Sequence, residues 1–206
     1  MGRYAGPKAR VNRRLGALIY ENSGATRAAE RREAPPGMHA RSKRPSNYGT
    51  ALKMKQKIKH YYGLGEKQLR RNFDNVRHKG GDIGLMLLQL CERRLDNVIR
   101  RAGFTKTRPQ ARQGVTHGHF QVNGVKVTKP SYLLRPGDVI TVRNRENLLL
   151  AYRGLCDQSQ GERLEWVAFD PDTLRATVQG TPGSSDISVP IRLPGDVNTV
   201  IEFLSR

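Results

Sequence analysis

The chain has little of what catalytic, secreted or membrane proteins depend on. Cysteine occurs twice in 206 residues, at Cys91 and Cys156, and never as a close pair. That excludes a disulfide framework and a cysteine-rich zinc site. Aromatic residues are 6% of the chain, with one Trp, so any core is modest. No apolar run reaches the roughly 18 residues of a membrane-crossing helix. The start is basic but has no apolar stretch behind it, which argues against a secretory signal. Acidic residues are scarce and scattered, and offer no paired carboxylates. The phosphate-cradling GxxxxGK[ST], the nucleophile turn GxSxG and the zinc motif HExxH are all missing. His117 and His119 stand two apart, but no second ligand cluster lies near them in sequence. No catalytic residue, metal, cofactor or small-molecule substrate is therefore expected.

What the chain has is positive charge. It carries 37 Lys/Arg against 18 Asp/Glu, a formal net charge of +19. Self-repulsion on that scale disfavours a compact isolated protein unless a polyanion neutralises it, and nucleic acid is the usual polyanion. The charge is uneven. Residues 1–59 hold 15 basic against 3 acidic side chains, whereas residues 154–206 hold 4 against 8. The front of the chain is the polyanion-facing part.

Residues 1–45 are rich in Gly, Pro and Arg with little apolar period, and read as an extended basic arm ordered by RNA. Helices are predicted over 47–62, with Ser46 as N-cap and Gly63 as the stop, and over 66–78. The strongest helical stripe is Leu87, Cys91, Leu95, Val98 and Ala102, predicting one helix over 84–102 that Gly103 and Phe104 close. Its polar face would carry Arg93, Arg94, Arg100 and Arg101. Thr107, Pro109 and Gln110 start a short helix over 108–116. The period then falls from 3.6 to 2. Asn123-Gly124 between Phe120/Val122 and Val125/Val127 predicts a type I′ hairpin. Pro136-Gly137-Asp138 is a turn opening strand 139–142. Strands are predicted at 166–169 and 175–178. Residues 144–163 and 197–204 are apolar in part but of undecided type.

The productive constellation spans about 93–142: two helices presenting arginines, then a hairpin. Guanidinium groups grip phosphate bidentately, so this arrangement suits a folded RNA backbone. Its residues carry a resemblance. Leu88-Gln-Leu-Cys-Glu-Arg-Arg-Leu-Asp-Asn-Val-Ile-Arg-Arg-Ala-Gly-Phe104, Val122-Asn-Gly-Val-Lys-Val-Thr-Lys-Pro-Ser-Tyr132 and Pro136-Gly-Asp-Val-Ile140 resemble the RNA-binding module named after small-subunit ribosomal protein number four. That module recurs in RNA-modifying enzymes, but no room remains here for a pseudouridine synthase domain. A small RNA-binding chaperone or repressor is the other open reading. The flanks Arg3-Tyr-Ala-Gly-Pro-Lys8, Pro36-Gly-Met-His39, Ser46-Asn-Tyr-Gly49 and Val200-Ile-Glu-Phe-Leu-Ser-Arg206 resemble the ribosomal family itself, in its bacterial or organellar form.

The resemblance implies a structural constituent of the cytoplasmic or organellar small subunit, bound early to the 5′ domain of its RNA at a multi-helix junction. It also implies small-subunit ribosomal protein number five as a neighbour, at an interface tied to decoding accuracy. A basic stretch at Arg41, Lys43 and Arg44 would lie where messenger RNA enters. Some family members hold zinc with four cysteines in the arm. Ala9 stands where the first would be, and residues 1–45 contain none. Metal analysis of the purified protein is expected to find no stoichiometric zinc.

The expected fold is α+β. It comprises an arm at 1–45, a helical domain at 46–90 completed by 191–206, and an α/β domain at 91–190. The last holds the module at about 93–153, two helices and a small antiparallel sheet. Residues expected on ribosomal RNA are Arg3, Tyr4, Lys8, Arg10, Arg13 and Arg14 in the arm, and Lys53, Lys55, Lys57, Arg70 and Arg71 on the helices. In the module they are Arg93, Arg94, Arg100, Arg101, Lys106, Arg108, Arg112, His117 and Lys126.

Overall fold

A computed structural model describes residues 4–32, 34–38, 44–158, 164–187, 189–191 and 195–205. The chain forms two compact units, residues 1–87 with 188–206, and residues 88–187.

The first unit is helical. The arm does not stay extended: Lys8–Leu15 (α1) and Ser23–Arg31 (α2) are helices packed on each other. Val11, Leu15, Ile19, Tyr20 and Ala25 are buried in this region. The organiser is Asn12, whose Oδ1 accepts from the Ile19 and Tyr20 N–H groups while its Nδ2 donates to the Tyr20 carbonyl. These bonds satisfy the backbone of a turn that would otherwise be buried with orphan donors. A polar hub of this kind leaves no apolar period by which to foresee it.

Asn47–Tyr61 (α3) starts where expected, with Ser46 Oγ accepting from the Gly49 N–H at 3.2 Å. It ends on Gly63 at φ 61° with a Leu64 N–H bond to the Lys59 carbonyl, a Schellman closure. Glu66–Val76 (α4) buries Leu69, Phe73 and Val76. The undecided segment near the end is a helix, Gly195–Ser205, which packs on α3 and α4 through Val197, Val200 and Leu204; it is α9 in chain order. Gly84 opens the intermediate helix Ile83–Glu92 (α5), and a Cβ there would fall 2.5 Å from Val197 Cγ1. The close approach requires glycine.

The predicted helix over 84–102 is corrected to two, α5 and Leu95–Arg101 (α6). Arg94 between them is extended, at φ −69° and ψ 138°, and forms an isolated bridge with Leu133. The Leu95 N–H donates to the Tyr132 carbonyl and the Leu134 N–H to the Arg93 carbonyl. This cross-chain pairing interrupts the helix without shifting its apolar stripe, so periodicity alone could not reveal it. Gly103 at φ 98° and buried Phe104, whose N–H bonds the Ile99 carbonyl, close α6 as predicted.

Arg108–Thr116 (α7) is capped by Thr107 Oγ1, which accepts from the Gln110 N–H. Phe120–Val122 (β1) and Val125–Lys126 (β2) form the hairpin, with Asn123 at φ 52° and Gly124 at φ 79°. Val139–Val142 (β3) pairs with β1, and Val167–Asp170 (β4) and Arg175–Val178 (β5) complete an antiparallel sheet in the order β2-β1-β3-β5-β4. Glu146–Gln158 (α8) resolves most of the undecided segment as helix. The core joins Leu95, Val98, Ile99 and Phe104 to Phe120, Leu134, Ile140 and Ala176, all buried. Phe104 meets Phe120 and Phe169 edge-on at 5.6 and 4.7 Å, a geometry that favours aromatic pairs.

Candidate nucleic-acid interface

The two helices of the second unit do not simply expose their arginines. Arg94 is 2% exposed, and its Nε and Nη2 donate to Asp96 Oδ1 and Oδ2 at 3.0 and 2.7 Å. Arg112 Nη1 reaches Asp96 Oδ2 at 3.4 Å. Glu92 is fully buried, and its Oε2 accepts from Arg101 Nη1 at 2.9 Å and Asn97 Nδ2 at 2.6 Å. Arg101 also donates to the Asp186 carbonyl. Asn97 Oδ1 in turn accepts from Arg108 Nε at 2.9 Å. Arg93 Nε bonds the Leu134 carbonyl.

This corrects the expectation that Arg94 and Arg101 lie on an outer polar face. A buried guanidinium must be paired and hydrogen-bonded, and both are consumed inside the fold. The arginines on α7 differ. Arg108 and Arg112 are half-buried and four residues apart; Arg108 donates to Asn97 and Arg112 to Asp96, both on α6. Tethering fixes rotamers before a ligand arrives, which lowers the entropy lost on binding. Arg100 is half-buried, and Lys106, His117 and Lys126 are exposed.

In the first unit Arg10, Arg14, Lys53, Arg70, Arg71 and Arg44 are exposed, and Lys8 is half-buried with Nζ 5.9 Å from the Tyr20 ring. Arg13 donates to the Ala34 and Pro35 carbonyls. Lys55 departs from expectation: it is buried, paired with Glu66, and 4.8 Å over the Phe203 ring. Burial, partly offset by Asp196, lowers the Lys57 pKa. Arg3, Arg41 and Lys43 lie outside the described residues. Sequence reasoning missed Lys129, Arg135 and Arg145, exposed on the second unit, and half-buried Arg143. Their one signal is position, beside the turns that flank β3.

Tyr4 stacks near Tyr20 and meets His60 edge-on at 5.0 Å, and the Tyr20 hydroxyl lies 3.1 Å from His60 Nδ1. Burial, with Tyr4 adding, pushes the Tyr20 hydroxyl up to about 12. Burial foremost, then Lys59 and Arg14, holds His60 below its ordinary value. A base whose folded pKa is depressed stabilises the fold in its neutral form, and that stability falls as pH drops through the unfolded value. Lowering pH from 7.5 to about 5 is expected to lower the thermal midpoint, and His60→Gln to remove its share of the drop. An unchanged pH profile in the variant would contradict this.

A sheet backed by two helices, with an internal carboxylate network that holds outward-facing arginines, defines a polyanion-binding module rather than a reaction centre. A family model described as the ribosomal protein S4/S9 N-terminal domain matches residues 3–92, and one described as the S4 domain matches residues 93–140. Over its full length the chain is 66% identical to the small ribosomal subunit protein uS4 of Rhodopirellula baltica, 42% to that of Persephonella marina and 40% to that of Thermus thermophilus, each covered completely. The chain belongs to the family of small ribosomal subunit protein uS4, a family of structural proteins and not of enzymes.

Proposed function

We propose that this protein is a structural constituent of the small ribosomal subunit, bound to small-subunit ribosomal RNA. The observation that supports this most is a full-length likeness to uS4 that takes in both the helical unit and the module. The mechanism is Lys/Arg–phosphate contact with counterion release, and recognition of RNA shape rather than sequence. In the module, at about 93–153, Arg108 and Arg112 hold the backbone with Lys106 and Lys126 alongside. Arg10, Arg14, Lys53, Arg70 and Arg71 offer a second basic set on the helical part.

The finer reading follows the family resemblance. The protein binds early to the 5′ domain of the RNA, at a junction of several helices. It neighbours ribosomal protein number five. Its basic stretch ending at Arg44 lies near the path by which messenger RNA enters, on cytoplasmic ribosomes. No helix among the described residues is long and apolar enough to cross a membrane.

The test is co-sedimentation with small subunits through a high-salt cushion, followed by chemical footprinting on the RNA. Retention with protections confined to the 5′ domain is the expected result. Protein left at the top of the gradient would overturn the ribosomal reading and favour a chaperone or repressor.

A further inference from the structure

A cleft of about 360 Å³ opens beside the end of α7, lined by His117, His119, Arg143, Arg145 and Asn147. Its floor is Gly118, at φ 71°. A Cβ at Gly118 would fall 2.2 Å from Lys126 Cε and 3.1 Å from its Nζ. The Lys126 stem therefore crosses that glycine. The carbonyls at the end of α7 would oppose an anion, but Gly118 and His119 N–H groups occupy those of Val115 and Gly114. His119 is fixed twice: its carbonyl accepts from the Arg143 N–H at 2.7 Å, and its Nδ1 meets the Tyr152 hydroxyl at 3.0 Å. That leaves Nε2 as the ring nitrogen for a ligand.

The charged and titratable groups that line the cleft or bond His119 are His117 just past α7, Arg143 and Arg145 after β3, and Glu146 and Tyr152 from α8, with the Lys126 stem over the adjacent Gly118. Two permanent cations line the cleft against one carboxylate. Resting on the rRNA-binding reading above, we propose that this cleft seats a backbone phosphate of the bound RNA, and that His119 gains a proton as the phosphate arrives.

Burial first, then His117 and Arg145, keeps the His119 pKa below its ordinary value in the free protein. A phosphate anion reverses the Coulombic part of that balance. The imidazole then charges and donates Nε2–H to a phosphate oxygen, a charge-assisted bond. No covalent bond forms or breaks; one proton moves from solvent to protein. Arg143, Arg145 and His119 thus join the RNA-binding surface, and affinity becomes linked to pH.

The experiment uses the full chain and a transcribed 5′-domain fragment at constant ionic strength. Anisotropy is read at pH 7.5 and 6.2, and calorimetry in two buffers of different ionisation heat counts protons. Wild type is expected to bind about five-fold tighter at the lower pH, with proton uptake on binding. His119→Gln removes the His119 share of that uptake. Arg145→Gln, at an exposed position, weakens binding at both pH values without lowering the melting temperature, and so covers the case in which the histidine variant fails to fold. Equal uptake in wild type and His119→Gln, or none in wild type, overturns the proposal while leaving rRNA binding intact. Absence of RNA binding at either pH sinks both readings. A parallel NMR titration with inorganic phosphate separates the sources. If phosphate alone moves the His119 ring resonances and RNA does not, the cleft serves free phosphate and the proposal fails.

Discussion

Replacing Glu92 with alanine is expected to cost about 3–5 kcal/mol of folding stability, the largest effect of any single change on this surface. Glu92 is wholly buried, and Arg101, its partner at 2.9 Å, is 5% exposed. Removing the carboxylate takes from the buried Arg101 guanidinium its ion pair at 2.9 Å, and from Asn97 Nδ2 the closer of its two acceptors on Glu92. Loss of this size is a large share of the roughly 5–15 kcal/mol that holds a typical domain together. Urea unfolding followed by the fluorescence of Trp166, buried in the same unit, reads it directly. The double variant Glu92→Met, Arg101→Met is expected to recover much of the loss, since an apolar pair removes both charges. A Glu92→Ala loss below about 1 kcal/mol would mean that water or another group reaches Arg101, and that the network does not organise the helices.

The second large effect is on RNA affinity. If binding neutralises about 6–10 phosphates, the association constant falls by roughly 10³–10⁵ between 50 and 200 mM salt. Filter binding or anisotropy across that range gives the slope. Lys106→Ala and Lys126→Ala, both at exposed positions, are each expected to lower the slope by about one unit with no change in melting temperature. Asp172→Ala, on the acidic tail-ward half, leaves it unaltered. A slope near zero would exclude phosphate contact as the mechanism. Asn97→Ala gives an intermediate outcome: Arg108 loses the acceptor for its Nε, so affinity falls although no positive charge has been removed.

The predicted rRNA-binding set illustrates how far local reading reaches. Lys106, Lys126 and His117 are exposed. Arg94 and Arg101 are buried, because Asp96 and Glu92, which look like scattered acids in the sequence, pair with them inside the fold. Glu92 and Arg101 sit nine residues apart across a helix break, a spacing that matches no helical face. Lys55 is expected on ribosomal RNA with Lys53 and Lys57, but it pairs with Glu66 and lies over the ring of Phe203, which comes from the other end of the chain.

Net charge pointed to a polyanion partner, apolar period to α3, α4 and the stripe shared by α5 and α6, capping residues to α7, and Asn123-Gly124 to the hairpin. Those properties are local: a stripe, a cap or a positive φ is set by residues within one turn of each other. Tertiary structure alone decided that the arm would pack through Asn12, that the long stripe would break at Arg94, and which arginines would be sequestered. The first two depend on donors and acceptors brought together by chain reversal; the third follows from the helix break, which sets Arg94 on Asp96 and Arg101 on Glu92. Burying a charge or an amide is tolerated only when such a partner arrives, and no periodicity encodes its arrival.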